Sequence, residues 1–318
     1  MLNTKNRNIL FLLVMTVALG CSQVVISFAQ SPQEQTKSIQ SDEFIKNRPA
    51  SSRPAEGRIR PSLHSPRTRT YPVVKKRITP PRKSTVRNNV AENAMLGLTI
   101  WKQGPAPKDE AAKGLIEEDS GLERIESETV LAVNDRIRFS VESLSRKGYL
   151  YIVDRELYSD GTYSAPKLIY PTLNYRNGNN LISAGNPIFV PQSTNYFVVT
   201  PQQGEKKQVA EVLTIIVSPK ILIDPSMLDN KAINVPPATF ASWLKQWEVE
   251  STLFEQVNGA GSKIMQVEQT AAREAAKGLL EESSAFTQGD PPPQSVYRAR
   301  IKRSDPLLVN VFLKFRSN

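Results

Sequence analysis

The sequence predicts a mainly β protein: an antiparallel β-sandwich with a small helical insert, preceded by a signal peptide and a disordered basic tail. Short segments in which apolar and polar residues alternate, turns rich in Gly and Pro, and basic residues concentrated near the N-terminus all support this prediction. The predicted organisation is a signal peptide over 1–29, a tether over 30–94 and one domain over 95–318, with the insert at about 236–278.

Strict alternation predicts three of the strands. In "RIRFSVE" (136–142) the isoleucine, phenylalanine and valine fall on one face, and the charged residues and the serine fall on the other. The segment 296–301 alternates in the same way, and 307–315 places Val309, Val311, Leu313 and Phe315 on one side. A period of two is typical of a strand that buries one face, so we expect Arg138 and Glu142 to face solvent.

Near-continuous apolar runs predict central strands. These runs are "GYLYIV" (148–153), "NYFVVT" (195–200) and "EVLTIIVS" (211–218). Asp160-Gly161 lies between strand-like segments and is typical of a type I′ hairpin turn. About nine or ten short strands with little helix between them predict two packed antiparallel sheets.

A helical segment interrupts these strands. In "PPATFASWLKQWEVE" (236–250), Phe240, Trp243 and Trp247 recur at helical spacing and form one apolar stripe. We expect this helix to cover a sheet face or one end of the sandwich, with its tryptophans in the core rather than stacked on a ligand. The Ala-rich stretch 263–277 predicts a second helix.

Two stretches nearly repeat each other: "EAAKGLIEEDS" (110–120) and "EAAKGLLEESS" (274–284) are identical at nine of eleven positions. Only about 35 residues follow the second copy, too few for a second core. We therefore interpret the copies as similarly built parts of one domain, and a duplication remains the alternative. This interpretation predicts that 290–318 returns to complete a sheet that begins near residue 96.

The N-terminus has the pattern of an export signal. A basic start, an apolar run over 9–20 and a small–x–small ending predict cleavage after Ala29. Two alternatives stay open: a lipoprotein with lipid on Cys21, and an uncleaved anchor over 9–29. All three place the remaining chain outside the cytoplasm, in the periplasm or secreted. Cys21 is the only cysteine, so the domain must be stabilised by its apolar core without disulfides.

The net positive charge lies before the predicted domain. Residues 1–95 contain 16 Lys or Arg and 5 Asp or Glu, whereas the rest of the chain contains 25 and 26. The Pro- and Arg-rich stretch 30–94 has too few apolar residues to form a core, so we predict a disordered tether.

This tether acts either as a solvated spacer or as a polycation that binds anionic lipid or envelope polymers. We do not expect nucleic acid, because export separates the tether from it and aromatic residues are sparse. The basic residues that we assign to the tether are Arg58, Arg60, Arg67, Arg69, Lys75, Lys76, Arg77, Arg82 and Lys83.

Several kinds of catalytic and cofactor site are excluded from the domain. The only histidine, His64, lies in the predicted tether, which excludes a Ser-His-Asp or Cys-His system and a His/Cys zinc site. No phosphate-binding loop of the type G-x-x-x-x-G-K occurs. We therefore predict no cofactor and no catalytic residue.

Carboxylates are the remaining candidates for chemistry. Asp154 and Glu156 share one face of a strand, about 6.6 Å apart, and Asp160 lies in the adjoining turn. These three residues are candidates for a calcium site, and the first two have a spacing suited to glycoside hydrolysis. The structural alternative is solvated charge where the strand leaves the core.

Several segments together resemble a known protein family. They are "GYLYIVDRELYSDGTYSAPKLIYPT" (148–172), "NLISAGNPIFVP" (180–191), "NYFVVTP" (195–201), "EVLTIIVSP" (211–219), the run from Trp243 to Trp247 and "DPPPQSVYRARIKRSDPLLVNVFLKF" (290–315). The chain is similar over about 95–318 to a family of exported bacterial β-rich proteins catalogued as a domain of unknown function. Members of that family occur alone or beside kinase-like or caspase-like domains. The resemblance implies a mainly β module and assigns no reaction.

These observations favour a non-enzymatic extracytoplasmic interaction or scaffold module. We expect its partner to be an unidentified protein or an anionic envelope polymer, with membrane contact only through an uncleaved anchor or a lipid on Cys21. The alternative is a small-ligand or carbohydrate-binding domain that uses Tyr158, Tyr163, Tyr170 and Tyr175 as ring platforms. A carboxylate-based hydrolase is the third hypothesis.

Overall fold

The strands and helices of the protein were located in a computed structural model. The described residues are 37–39, 43–50, 90–103, 121–191, 195–200, 206–276 and 285–316. They all belong to one unit, Gln35–Asn318. The predicted signal peptide, the nine tether residues and the first copy of the repeat lie outside the described residues, as do all but the first three residues of the second copy.

The described residues form fourteen strands, two α-helices and two short 3-10 helices at Arg176–Gly178 and Pro225–Met227. In chain order the strands and α-helices are β1 (Lys37–Ile39), β2 (Ala91–Gln103), β3 (Glu123–Ile125), β4 (Arg136–Ser143), β5 (Gly148–Tyr158), β6 (Lys167–Tyr170), β7 (Leu181–Ile182), β8 (Ile188–Val190), β9 (Phe197–Val198), β10 (Gln208–Ser218), β11 (Ile233–Asn234), α1 (Pro237–Trp247), β12 (Ser251–Gln256), α2 (Gln266–Ala276), β13 (Ser295–Lys302) and β14 (Leu307–Lys314).

The strands form two sheets, which together we call the two-sheet body. Sheet I has the order β1-β12-β13-β2-β4-β8, with β3 paired to β2 and β9 paired to β4. Sheet II has the order β11-β6-β5-β10-β14, with β7 paired to β5. The β1–β12 pair is parallel and the other strand pairs of both sheets are antiparallel. The prediction of a mainly β fold with two antiparallel sheets is confirmed.

The C-terminal strands complete both sheets. β13 lies between β12 and β2 in sheet I, where Tyr297 is opposite Leu96. β14 forms an edge of sheet II and pairs with β10, where Val309 is opposite Ile215. The prediction that 290–318 returns to a sheet begun near residue 96 is therefore confirmed.

One apolar core lies between the two sheets. β2 and β4 contribute to it from sheet I, and β5, β10 and β14 contribute from sheet II. Representative core residues, each at most 2% exposed, are Leu98, Phe139, Ile152, Ile215 and Val309. Burial of a side chain of this size contributes about 1.5–3 kcal/mol to the free energy of unfolding, so these alternating residues are the main source of stability.

The outer face of each sheet is covered as well. Over sheet II, Phe240 and Trp243 of α1 pack in one cluster with Tyr151 and Ile216. Trp247 is partly buried against the same cluster. The prediction that the apolar stripe of this helix covers a sheet face is confirmed. Over sheet I, α2 and nearby loops cover a second apolar cluster, which includes a tryptophan of β2 and a phenylalanine of β8.

The prediction of a solvated face on β4 is wrong. Arg138 and Glu142 are 1% and 3% exposed. The Arg138 guanidinium lies 5.3 Å from the centre of the Phe189 ring, and Glu142 is paired with Arg48. Charged groups can be buried when other charged or aromatic groups compensate for the lost water. Alternation separates the two faces of a strand but does not tell whether the polar face meets solvent.

Residues 43–50 pack on the outer face of sheet I, although the sequence analysis assigns them to the tether. The Phe44 and Phe254 rings lie 5.5 Å apart between centroids. Arg48 donates from Nε to Glu142 Oε1 at 2.9 Å and from Nη2 to Oε2 at 2.6 Å. Its Nη1 also donates to two backbone carbonyls of the loop before β13. These charge-assisted hydrogen bonds satisfy the buried Arg48 guanidinium and hold 43–50 on the sheet. The two-sheet body thus includes a segment before residue 95.

Deletion of residues 289–318 is expected to unfold the two-sheet body. The deletion removes β13 from the interior of sheet I and β14 from the edge of sheet II, which exposes core residues of both sheets. Circular dichroism during thermal unfolding checks the prediction, and the expected result is loss of the cooperative transition. Deletion of only the last two residues is the control, because β14 ends before them. A cooperative transition after the longer deletion would contradict a shared core.

Candidate functional site

A cleft of about 190 Å³ lies between the two sheets. Both walls are largely apolar, and sheet I and the segment around β9 form one of them. The lining residues of that wall are Ile137, Phe139, Phe197, Val198, Val199 and Thr200. The lining residues of the sheet II wall are Asp154, Ile169, Gln208, Glu211, Leu213, Leu313 and Phe315. Among the described lining residues only Asp154 and Glu211 can ionise, and we call these two the acid pair.

The acid pair is brought together by the pairing of β5 with β10. Asp154 lies opposite Leu213, and Glu211 lies opposite Glu156. Residues two apart on a strand share a face, so all four side chains lie on the face that carries Ile152 into the core. Asp154 and Glu211 are diagonal neighbours on that face, a separation that side chains of this length can span. The strand register therefore places two carboxyl groups at the boundary between core and cleft.

The acid pair shares a proton at neutral pH. Burial, the charge of Glu211 and a hydrogen bond with Glu211 raise the pKa of Asp154 to about 8, whereas the nearby Lys167 lowers it. Burial also raises the pKa of Glu211, although hydrogen bonds from Asp154 and Gln208 act in the opposite direction. Two carboxylates at hydrogen-bond distance repel each other when both are ionised. Near pH 7 the pair thus holds one proton and carries one negative charge.

One oxygen of the acid pair has no partner. Asp154 Oδ1 is shielded from solvent and accepts no hydrogen bond from the described residues. Glu211 Oε2, in contrast, accepts a hydrogen bond from Gln208 Nε2 at 3.1 Å. A buried polar atom without a partner costs roughly 1–3 kcal/mol of stability. Asp154 Oδ1 is therefore an unsatisfied acceptor of a residue that lines the cleft.

The three candidate calcium ligands make separate interactions. Asp154 belongs to the acid pair, and Glu156 accepts a hydrogen bond from the Tyr158 hydroxyl at 2.6 Å. Asp160 binds groups of its own turn and lies 3.1 Å from Lys206 Nζ. In the described part of the chain, no group of three or more His, Cys, Asp or Glu side chains could hold a metal ion. The hydrolase hypothesis pairs Asp154 with Glu156, but Asp154 forms its hydrogen bond with Glu211.

The four candidate ring platforms divide between core and surface. Tyr170 and Tyr175 are 2% and 4% exposed, and their rings meet edge to face at 5.3 Å. The expectation that these two rings stack on a sugar is therefore wrong, because the core already covers them. Tyr158 and Tyr163 do not line the cleft, and the Arg155 guanidinium lies 4.2 Å from the centre of the Tyr163 ring.

Glu211 is the residue of this site that the sequence analysis does not identify. Glu211 is the first residue of the apolar run 211–218, and a single acidic residue at this position indicates only the end of a strand. The only available signal is that Asp154 and Glu211 each border an apolar run predicted to be a central strand. Two such acids meet only if their strands are antiparallel neighbours in one register, and that information is absent from either segment alone.

The cleft has no precedent that identifies it. No protein-family model, curated protein or solved structure matches the chain. No helix of the described residues has the length and apolarity that a membrane crossing requires. The resemblance to a family of exported β-rich proteins stays a prediction. The functional proposal therefore depends on the geometry of the cleft.

Replacement of Asp154 by Asn is expected to stabilise the protein more at about pH 8 than at about pH 4. Because the folded-state pKa of about 8 exceeds the ordinary value of 3.8, the native state binds more protons than the unfolded state between these values. The stability of the unsubstituted protein therefore falls as the pH rises through this window, and Asn removes that loss. Thermal unfolding at several pH values measures the difference in Tm.

The matched control for this experiment is Glu156→Gln. It removes a neighbouring carboxylate but leaves the acid pair intact. Its Tm is expected to follow the pH dependence of the unsubstituted protein. A Tm difference for Asp154→Asn that does not change with pH would contradict the raised pKa.

Proposed function

We propose that the protein is a non-enzymatic extracytoplasmic binding module, a β-sandwich that holds a small molecule in the cleft between its sheets. The cleft itself is the observation that carries this proposal. An apolar cavity of about 150 Å³ is large enough to bind benzene, so a cleft of about 190 Å³ can hold an apolar body the size of one aromatic ring.

The lining supports binding rather than hydrolysis. Apolar walls with a few convergent polar groups are typical of small-molecule sites, where the polar groups fix the orientation of the ligand. Glycosidases separate their two carboxyl groups by about 5 Å or more to place the sugar or a water molecule between them. The hydrogen bond within the acid pair brings its carboxyl groups closer than that.

The location outside the cytoplasm is part of the proposal and rests on the export-signal pattern of 1–29. The resemblance to a family of exported proteins is consistent with it. Residues 51–89, outside the described residues, contain 11 Lys or Arg and 1 Asp or Glu. The described residues Ala50 and Val90 border this stretch, and Val90 directly precedes β2 of sheet I. We propose that this stretch binds anionic envelope polymers or lipid, at about 1 kcal/mol per basic residue.

A bulky substitution in the cleft is expected to prevent ligand binding. Saturation-transfer NMR with a set of monocyclic compounds identifies ligands, and calorimetry measures their Kd. Ile169→Trp fills the cleft from the sheet II wall and is expected to weaken binding at least about tenfold.

Ile221→Trp is the control, because it adds the same bulk at a position that is 52% exposed and does not line the cleft. It is expected to bind as tightly as the unsubstituted protein. The proposal would be wrong if no compound bound, or if Ile169→Trp left the Kd unchanged.

Exchange of the nine tether residues for Gln is expected to abolish envelope binding. Co-sedimentation with anionic lipid vesicles or purified cell-wall polymer measures retention, which should be high at low salt and lost at about 0.5 M salt. The control replaces three exposed lysines of the two-sheet body by Gln and is expected to leave retention unchanged. These lysines are Lys220, Lys231 and Lys245. Retention that does not depend on salt would contradict an electrostatic tether.

A further inference from the structure

We propose that the cleft selects small molecules that carry a protonated amine, and that the ammonium group binds the acid pair in place of the proton that the pair shares. This inference rests on the proposed function, because it requires that the cleft holds a small molecule. It adds the chemical class of the ligand.

The two walls of the cleft differ in chemistry, and this difference gives the ligand its orientation. The sheet II wall carries the acid pair, with both carboxyl groups within one hydrogen bond of each other. The facing wall contributes Phe139 and Phe197, whose rings stack at 5.9 Å, and Val199 beside them. A ligand in the cleft therefore meets charge on one side and aromatic or aliphatic surface on the other. An arylalkyl ammonium ion has this same division into one cationic end and one apolar body.

The charges around the acid pair favour a cation. Glu156 on β5 acts on both acids with a negative charge, and Lys167 on β6 acts on both with a positive charge. Gln208 on β10 contributes an uncharged hydrogen bond. The described lining residues from β4, β14 and the segment around β9 contain no ionisable group. Among the described residues, Lys167 acts on both acids with a positive charge and Arg155, the chain neighbour of Asp154, acts on Asp154. Neither of these two cations lines the cleft, and an ammonium group that enters the cleft supplies a cation from that side.

The proposed binding step exchanges one cation for another. In the free protein the protonated carboxyl group of the pair donates its O–H to the other carboxylate. An R–NH3⁺ group replaces that O–H···O bond with two N–H···O bonds, one to each carboxylate, and the displaced proton passes to solvent. The charge of the site is the same before and after, and no covalent bond to carbon changes.

Release of a proton makes the affinity for the amine depend on pH. Below the Asp154 pKa of about 8, one proton must leave for each amine bound. The Kd is therefore expected to fall about tenfold for each pH unit gained between about pH 6 and pH 8, and to level off above that. A neutral ligand of the same shape displaces no proton and is expected to bind without this dependence.

Calorimetry with three matched probes tests the inference on the whole mature protein. The probes are phenethylamine, phenethyl alcohol and phenylacetate, which share a ring and differ in charge. We expect the amine to bind most tightly and to release one proton, counted from titrations in buffers with different ionisation enthalpies. We expect the alcohol to bind more weakly without proton release, and phenylacetate to bind weakest because the pair repels it.

Substitutions assign the effect to the acid pair. Asp154→Asn and Glu211→Gln each preserve the side-chain shape and remove one of the two carboxylates that accept from the ammonium, so they are expected to weaken amine binding at least about tenfold above pH 8 and to abolish its pH dependence. Binding of the alcohol should change by less than about threefold. Glu156→Gln leaves the pair in place and is expected to keep the pH dependence. Thermal unfolding of each variant verifies that it is folded.

The outcomes separate this inference from the proposed function. If the alcohol binds, Ile169→Trp prevents that binding and the amine binds no more tightly and releases no proton, the inference is wrong while the proposed function stands. If none of the three probes binds, the inference is also wrong, and the wider set of monocyclic compounds then decides the proposed function separately. If amine binding survives both acid-pair substitutions with its pH dependence, the ammonium binds elsewhere and the inference is wrong.

Discussion

Hydrogen bonding between strands that are distant in sequence is the constraint on which the whole structure depends. The β5–β10 ladder places Ile152 opposite Ile215 in the core, and the same register makes Asp154 and Glu211 diagonal neighbours at the cleft. A shift of one residue would turn every side chain of a strand to the other face of its sheet. The apolar core and the acid pair are thus two results of one alignment, and the large energy of core burial holds the two acids in place.

The acid pair differs from two fully buried carboxylates of the two-sheet body. Glu142 has Arg48 as a bidentate partner, and Glu268 receives a hydrogen bond from Arg124. Those ion pairs attach the segment 43–50 and α2 to the outer face of sheet I, which agrees with a role of buried ion pairs in specifying which segments pack together. Neither acid of the pair belongs to an ion pair of the described residues. The charge of the acid pair remains available to a ligand, whereas the charges of the other two are already compensated.

Local patterns predict most strands and helices, and they predict the burial of polar residues poorly. The prediction of a central strand at 195–200 is wrong, because only the two-residue β9 forms there and Val198 is 51% exposed. Alternation identifies β4, β13 and β14, apolar runs identify β5 and β10, and a helical stripe identifies α1. A hairpin turn is also present at Asp160-Gly161, with Gly161 at φ 79°, a conformation that glycine adopts readily. The predicted type I′ geometry is wrong, because Asp160 does not have the positive φ that this turn type requires. Burial of Arg138, docking of 43–50 and the encounter of Asp154 with Glu211 all depend on partners far away in the chain. A short stretch of sequence does not contain those partners. Local patterns therefore predict a solvated face on β4 and a domain that starts at residue 95.

The position of β13 in the interior of sheet I also sets the order in which the protein can fold. Leu96 can pair with Tyr297 only after the ribosome has added about 200 further residues. The contacts of Arg48 with Asp290 and Pro291 join residues that are still farther apart in the chain. Neither sheet can close until β13 and β14 have been made, so folding of the two-sheet body follows the synthesis of all its strands. Until then the open edges of β2 and β12 are free to pair with other chains, and this waiting period is when the polypeptide is most exposed to aggregation.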